Sequence, residues 1–194
     1  NFAEYNVKDA NLEEVLLALK SLDTVEAVAL GGSRSTGASD ENSDYDIYVY
    51  CAEIPTAETR ENLLGKYCSI AEFGNHYWES EDNTVMNNGI PVDIIYREVD
   101  RFGRYIDTVI KGGKAFNGYT TAFWHNIKNS KVLFDKTGTF TKFRDMAQID
   151  FPENLRSAII KNNRNLLNGK LPSYDRQIKK AQERGDIVSV NHRI

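Results

Sequence analysis

LGGSRSTGASDENSDYDIYVY, residues 30–50, sets two glycines and a run of hydroxyl side chains ahead of two aspartates spaced one residue apart. Before it, Val25 to Leu30 is a short apolar run bounded by Asp23 and by Gly31-Gly32, the pattern of a buried strand. Residues 33–39, with serine caps and Gly37, predict a short helix opening directly after that strand, and Tyr45 to Tyr50 predicts a second strand. In a strand, residues i and i+2 lie on one face, about 6.5–7 Å apart at the backbone, so Asp44 and Asp46 converge on one cation site. Unpaired carboxylates that close repel each other unless a cation sits between them. Hard oxygen ligands suit Mg²⁺, which takes one or two carboxylates and completes its shell with the oxygens of a bound phosphate. Backbone N–H groups at Gly31-Gly32-Ser33 can face such an anion. Phosphate beside magnesium is the implied ligand.

The other elements are read outward from this stretch. Leu12, Val15, Leu16, Leu19 and Leu22 recur at helical spacing after Asn11, the expected N-cap. Thr56 to Tyr67 follows Pro55 and predicts a helix capped at Thr56. Thr84–Asn87 and Ile90–Tyr96 flank Asn88-Gly89, a hairpin signal in which both central residues are expected at positive φ. Val99, Phe102, Ile106, Val109 and Ile110 make another helical stripe, stopped by Gly112-Gly113. Lys131 to Phe134 predicts a small edge strand. From Thr139 onward the spacing is helical: Phe140, Phe143 and Met146, then Leu155, Ile159, Ile160, Leu166 and Leu167, then residues 173–184. After Gly185, residues 186–194 begin a new apolar pattern without a cap, which leaves open that the chain continues.

Composition bounds the class. The chain has 194 residues, 41% hydrophobic and 27% charged, values ordinary for a globular protein with a sizeable core. No run of about 18 apolar residues is present, so no membrane span is expected. Asn1 to Asp9 lack the pattern of a secretory signal, the absent initiator methionine points to a processed start, and a cytoplasmic setting is expected. Cys51 and Cys68 have no metal-type spacing and read as reduced core residues. A net charge of −4 weighs against a nucleic-acid partner. The eight Lys and Arg of residues 156–184 keep that partner open but read first as a solvated helix face.

An Asp-x-Asp or a Gly-Gly-Ser turn alone carries little weight; their order and spacing carry more. Leu30, Gly31 and Gly32 are followed by eleven residues, Ser33 to Ser43, and then by Asp44-Tyr45-Asp46-Ile47. In this the chain resembles the nucleotidyltransferase superfamily typified by DNA polymerase beta. The longer form, Gly-Gly-Ser-Arg-Ser with a later Ser-Asp-x-Asp, is similar to the bacterial antibiotic and small-substrate nucleotidyltransferases. The superfamily carries a third carboxylate on a later strand, and Asp93 in Pro91-Val92-Asp93-Ile94-Ile95 fills that place, where an isolated buried charge would be costly.

The resemblance implies an α+β fold, a mixed β-sheet flanked by helices over residues 1–115, followed by a mainly helical C-terminal region over 116–194. It implies Mg²⁺ held by Asp44, Asp46 and Asp93, with an NTP, ATP included, as co-substrate. Asp44 and Asp46 would hold the metal, and Asp93 would ligate it and help to take the acceptor's proton. Gly31, Gly32 and Ser33 would hold the outer phosphates. Arg34 would add charge there or pair instead with Asp40 or Glu41, and Ser43 would shape the start of the strand. The implied reaction moves a nucleoside monophosphate to a hydroxyl of a small, antibiotic-like acceptor and releases pyrophosphate. The alternatives are a toxin-like enzyme acting on protein or tRNA, and a nucleotide-binding module without chemistry. Oligomeric state stays open.

Several residues outside the motif are expected to serve structure first. His76, Tyr77 and Trp78 could stack a base or an acceptor ring, but are expected to pack a loop. Glu79, Glu81 and Asp82 read as an acidic loop, His125 and His192 as structural, and Tyr48 and Tyr50 as core residues sharing the parity of the aspartates.

Overall fold

The computed structural model describes residues 8–36, 43–117, 120–169 and 173–191. Gly37, Asp40, Glu41, Lys170, His192 and the last two residues of the chain lie outside them, so the Arg34 pairing with Asp40 or Glu41 does too. Helix α1 (Ala10–Lys20) is capped by Asp9, not by Asn11: the Asp9 carboxylate accepts from the Asn11 and Leu12 amides at 2.9 and 3.3 Å. Asp9 stands two residues earlier, where the carboxylate meets both orphan N–H groups.

Strand β1 (Val25–Leu30) leads into the five-residue helix α2 (Gly32–Thr36) and then strand β2 (Tyr45–Cys51). Helix α3 (Ala57–Leu64) starts at the predicted Thr56 cap and ends in a 3-10 turn, Gly65–Tyr67. Strand β3 (Cys68–Asn75) was not anticipated, and Cys68 opens it. Strands β4 (Ser80–Met86) and β5 (Pro91–Glu98) form the expected hairpin, but by a different turn. Only Gly89 has positive φ, at 85°, and its amide donates to Met86 O at 2.9 Å, while Met86 N donates to Ile90 O. That is a three-residue loop closed by a left-handed glycine rather than two left-handed central residues.

Helix α4 (Val99–Ile106) continues into a π turn, Asp107–Lys111. Helix α5 (Ala122–Asn129) was not foreseen; strand β6 (Lys131–Asp135) was. Helices α6 (Thr139–Ala147), α7 (Glu153–Asn168), α8 (Tyr174–Glu183) and α9 (Ile187–Asn191) complete the described elements.

The six strands form one mixed sheet in the order β3-β4-β5-β2-β1-β6, with β2 and β5 parallel and the other pairs antiparallel. The pleat sorts side chains onto two faces. One face packs Ile47, Val49, Ile94 and Tyr96 against Leu12, Leu16 and Leu19 of α1 and Leu64 of α3. The other face carries Asp46, Tyr48 and Tyr50. There Tyr50 meets the rings of Phe102, Phe140 and Phe143 at 5.3–5.8 Å, bringing α4 and α6 onto the sheet.

The chain divides into two compact units, 1–106 with 123–148, and 107–122 with 149–194. The single division expected near 115 falls inside the segment 107–122 of the second unit. Strand β6 pairs with β1 across Leu30 and Lys131, so the chain returns to the first unit after leaving it. Within the second unit, Asn162 Nδ2 donates to Ala115 O at 3.1 Å, and a cleft is lined by Asn117, Asn162, Asn165 and Leu166. Helix α7 buries only Leu155 and α8 only Ala181, which leaves the described basic residues of 156–184 in solvent as expected. No helix among the described residues is long and apolar enough to cross a membrane.

Candidate active site

The parallel pairing of β2 and β5 sets Asp46 directly opposite Asp93. Neighbouring strands lie about 4.8 Å apart, so the two aspartates stand abreast on one face, with Asp44 just before the start of β2. Their charges reach one another. Burial, then the charge of Asp44, then that of Asp93, push the Asp46 carboxyl up from 3.8 to about 6. Asp44 is exposed, and Asp46 and Asp93 are half-buried, so the group opens toward solvent.

The glycine turn is pressed against the same group. Gly31 N donates to Asp46 O at 2.9 Å. Gly32 has φ of 61°, and a Cβ there would stand 1.7 Å from Asp46 Oδ2. A Cβ on Gly31 would meet Tyr48 Cε2 at 2.5 Å and Asn126 Nδ2 at 2.8 Å. Both glycines are thus required by close approach, and only a residue without Cβ lets the turn run alongside the carboxylate.

Asp93 is held from its other side. Asn83 Nδ2 donates to Asp93 Oδ1 at 2.9 Å, and Asn75 Nδ2 donates to Asn83 Oδ1 at 2.6 Å. Asn83 pairs with Asp93 across β4 and β5, and Glu81 lies on the same face one pleat on. Burial and the charges of Asp93, Glu79 and Asp82 push the Glu81 carboxyl up.

Arg34 does not project as an outlying cation. Its Nε donates to the carbonyls of Ser43 at 2.8 Å and Asp44 at 3.2 Å, its Nη2 also reaches Ser43 O, and its guanidinium stacks over Tyr45 at 4.0 Å. It fixes the backbone at the start of β2, and Ser43 serves there through its carbonyl.

Of the acidic run, Glu81 and Asp82 lie in β4 and not in a loop, whereas Glu79 stands in the bend just before it. Asp82 is buried in β4 and takes a bidentate pair from Arg60 at 2.9 Å on the opposite face of the sheet. Glu79 takes Arg97 Nε and Nη2 at 2.7 and 2.8 Å. Arg97 is buried, stacks on Tyr48 at 4.5 Å, and donates from Nη1 to Tyr50 Oη at 3.2 Å and Asn126 Oδ1 at 3.3 Å. Burial pulls the guanidinium pKa down, but Tyr50 and Glu79 outweigh it and carry it above its ordinary value.

Tyr77 and Trp78 are 76% and 87% exposed, so they do not pack a loop core; Glu79 anchors their turn through Arg97. Trp124 is buried, with Nε1 on Ala147 O at 2.8 Å, and His125 is exposed, with its Nδ1 3.2 Å from Asn129 Nδ2. Arg97, Asn83, Asn75 and Asn126 were missed in the sequence. The one signal available was parity: Asn83 and Arg97 alternate in step with Glu81 and Asp93.

Among the described residues, no three His, Cys, Asp or Glu side chains form a ready-made metal cage. The donor set nevertheless fits Mg²⁺, because that ion takes few protein carboxylates and completes its shell with water and phosphate oxygen. Asp44 and Asp93 both repel the Asp46 carboxylate, and all three acids retain exposed surface, the arrangement a cation would relieve. The cleft of Asn117, Asn162, Asn165 and Leu166 contains no ionisable group and is not this site.

The chain matches the family described as Nucleotidyltransferase domain over residues 12–116, more than half of its length. The chain belongs to that family. The nucleotidyltransferase is thus an enzyme of nucleotidyl transfer, and its sheet carries both motif halves within the matched span. Comparison with curated proteins finds no match. Among solved structures it is similar to a toxin–antitoxin with AMP-PNP, at 16% identity and TM-score 0.41, over 91% of this chain and 96% of that one. A nucleotidyltransferase-like protein from Exiguobacterium sibiricum is similar at 9% identity and TM-score 0.40, over 94% of this chain and 50% of that one. The CD-NTase CdnG of Bradyrhizobium diazoefficiens in complex with GTP is similar at 14% identity and TM-score 0.32, over 90% and 70%.

Proposed function

We propose that the enzyme moves a nucleoside monophosphate from an NTP, ATP included, to a hydroxyl of a small-molecule acceptor in a Mg²⁺-dependent reaction that releases pyrophosphate. The observation that carries this reading is the pairing of Asp46 with Asp93 on parallel strands, with Gly32 pressed against the Asp46 carboxylate.

Asp44, Asp46 and Asp93 would hold Mg²⁺. When bound, the ion supplies charge stabilisation to the attacking and leaving oxygens. Gly32 and Ser33 would offer backbone N–H groups and a hydroxyl to the outer phosphates, Gly31, whose own N–H is taken by Asp46 O, would let the turn run close beside those acids, and Arg34 would support them by fixing the start of β2. Asn83 occupies Asp93 Oδ1, so Oδ2 is the oxygen left to accept the proton of the acceptor hydroxyl. The acceptor oxygen then bonds to the α-phosphorus, the bond to the bridging oxygen breaks, and pyrophosphate carries away the electron pair.

Glu81 continues the acidic strip beyond Asp93. That strip repels a phosphate backbone and favours an acceptor other than nucleic acid. The unpaired Cys51 and Cys68 support a cytoplasmic setting. The test is pyrophosphate release from each NTP against hydroxylated antibiotics, tRNA and candidate proteins, with and without Mg²⁺ and with Asp93→Asn. Turnover is expected with a small acceptor and to be lost in Asp93→Asn. Turnover only with tRNA or protein would transfer the reading to the toxin-like alternative, and nucleotide binding with no turnover at all would favour a binding module.

A further inference from the structure

Helix α5 brings to the catalytic face a side chain that lies outside both the glycine–aspartate motif and the family-matched span. Asn126 Oδ1 accepts from Arg97 Nη1 at 3.3 Å. Arginine can only donate, so the oxygen end of the amide is fixed on Arg97 and the NH₂ end faces the other way. There Nδ2 stands 2.8 Å from the position a Cβ on Gly31 would occupy, beside the Tyr48 ring that walls the same space. Among the described residues no acceptor is bonded to Nδ2, and Asn126 is half-buried. Arg97 cannot easily turn: Glu79 grips it at 2.7 and 2.8 Å, Tyr50 accepts from it at 3.2 Å, and Tyr48 lies under it at 4.5 Å. Residues 79, 97 and 126 therefore form a chain that ends in one aimed, uncharged donor next to the glycine turn.

We propose that Asn126 is a nucleotide-binding residue, donating through Nδ2 to a phosphate oxygen of the NTP held at Gly31, Gly32 and Ser33. This rests on the reading of that turn as the triphosphate site. A neutral donor suits the place. Lysine or arginine beside Gly31 would be drawn to Asp46 and would neutralise the carboxylate needed for the cation, whereas an amide hydrogen-bonds an anion without competing for it.

Asn126→Asp separates this role from mere support of Arg97. It keeps an oxygen for Arg97, in a stronger charge-assisted bond, and replaces the NH₂ with an anionic oxygen. Asn126→Ala removes both ends and adds no charge. The measurement is calorimetric binding of the Mg²⁺ complex of an α,β-methylene ATP analogue, with the unfolding midpoint recorded alongside. Asn126→Asp is expected to raise Kd about tenfold or more, equivalent to about 1.4 kcal/mol, with its midpoint kept or raised. Asn126→Ala is expected to raise Kd by roughly three- to tenfold and to lower the midpoint. If the wild type binds and either variant binds as tightly, the assignment is overturned while the nucleotide site stands. If the wild type binds no nucleotide, both fall together.

Discussion

Asp82 and Asp46 are both acids on strands of one sheet, on opposite faces, and the fold treats them differently. Asp82 is fully buried, yet it is satisfied: Arg60 grips both its oxygens at 2.9 Å, and the Gly74 amide donates to Oδ1 at 2.9 Å. Asp46 is more accessible, but its nearest ionised neighbours are Asp44 and Asp93, and its carboxyl is pushed up to about 6. A charge that serves the fold is paired inside the protein. The charge of Asp46, the proposed metal ligand, meets other acids instead.

The sharpest way to break that contrast is to neutralise one acid on the open face. Asp46→Asn is expected to cut Mg²⁺-dependent turnover by about 10³-fold or more while the protein stays folded, read as pyrophosphate release beside a circular dichroism spectrum. Turnover within a few fold of wild type would remove Asp46 from the site.

On the opposite face the reverse is expected. Arg60→Met leaves Asp82 buried without its partner and should destabilise by about 3–5 kcal/mol in urea unfolding. A loss under about 1 kcal/mol would show that the pair is not structural.

Next in size is Gly32→Ala. The added Cβ must displace the Asp46 carboxylate from a 1.7 Å approach and sit at φ of 61°. Displacing a catalytic group by about an ångström costs on the order of 10²-fold in rate, and the strained backbone about 1–2 kcal/mol in stability. Unchanged kcat/KM with unchanged stability would mean that the turn does not crowd Asp46.

The smallest effect has the opposite sign. With its carboxyl at about 6 against 3.8 when unfolded, Asp46 binds more protons in the native state between those values. Stability therefore declines as pH rises through that window, and the full cost is present above about pH 6. After discounting for exposure and screening that cost is about 1 kcal/mol, so Asp46→Asn should unfold about 2–4 °C higher than wild type at pH 7.5 without metal. The gain should fade below about pH 4, and a variant less stable at pH 7.5 would contradict it.

The sheet centre was legible because its physics is local. β1 and β2 are buried runs broken by glycine or polar residues, and both were bounded within a residue. β3 was not, because it is an edge strand: Ile70 is 66% exposed, and residues 69–72 face solvent without apolar alternation. α5 is short, and its buried Phe123 is placed by Phe102 and Tyr105 of α4, contacts that spacing along the chain does not reveal. The same limit hid the support of the candidate site. Asp44, Asp46 and Asp93 announce themselves as acids in apolar strands, but the linkage of residues 50, 79, 97 and 126 forms only when four separate segments meet. Asp82 was misjudged because its partner Arg60 is 22 residues away on a helix.

If three acids on the open face act as one cation site completed by a bound nucleotide, the Asp46 carboxyl must respond to both. A carboxyl-carbon NMR titration of Asp46, without metal and then with Mg²⁺ and the α,β-methylene ATP analogue, tests it most directly. A midpoint near 6 is expected for the protein alone, falling below about 5 when metal and nucleotide are present. A midpoint that metal and nucleotide leave where it was would contradict it.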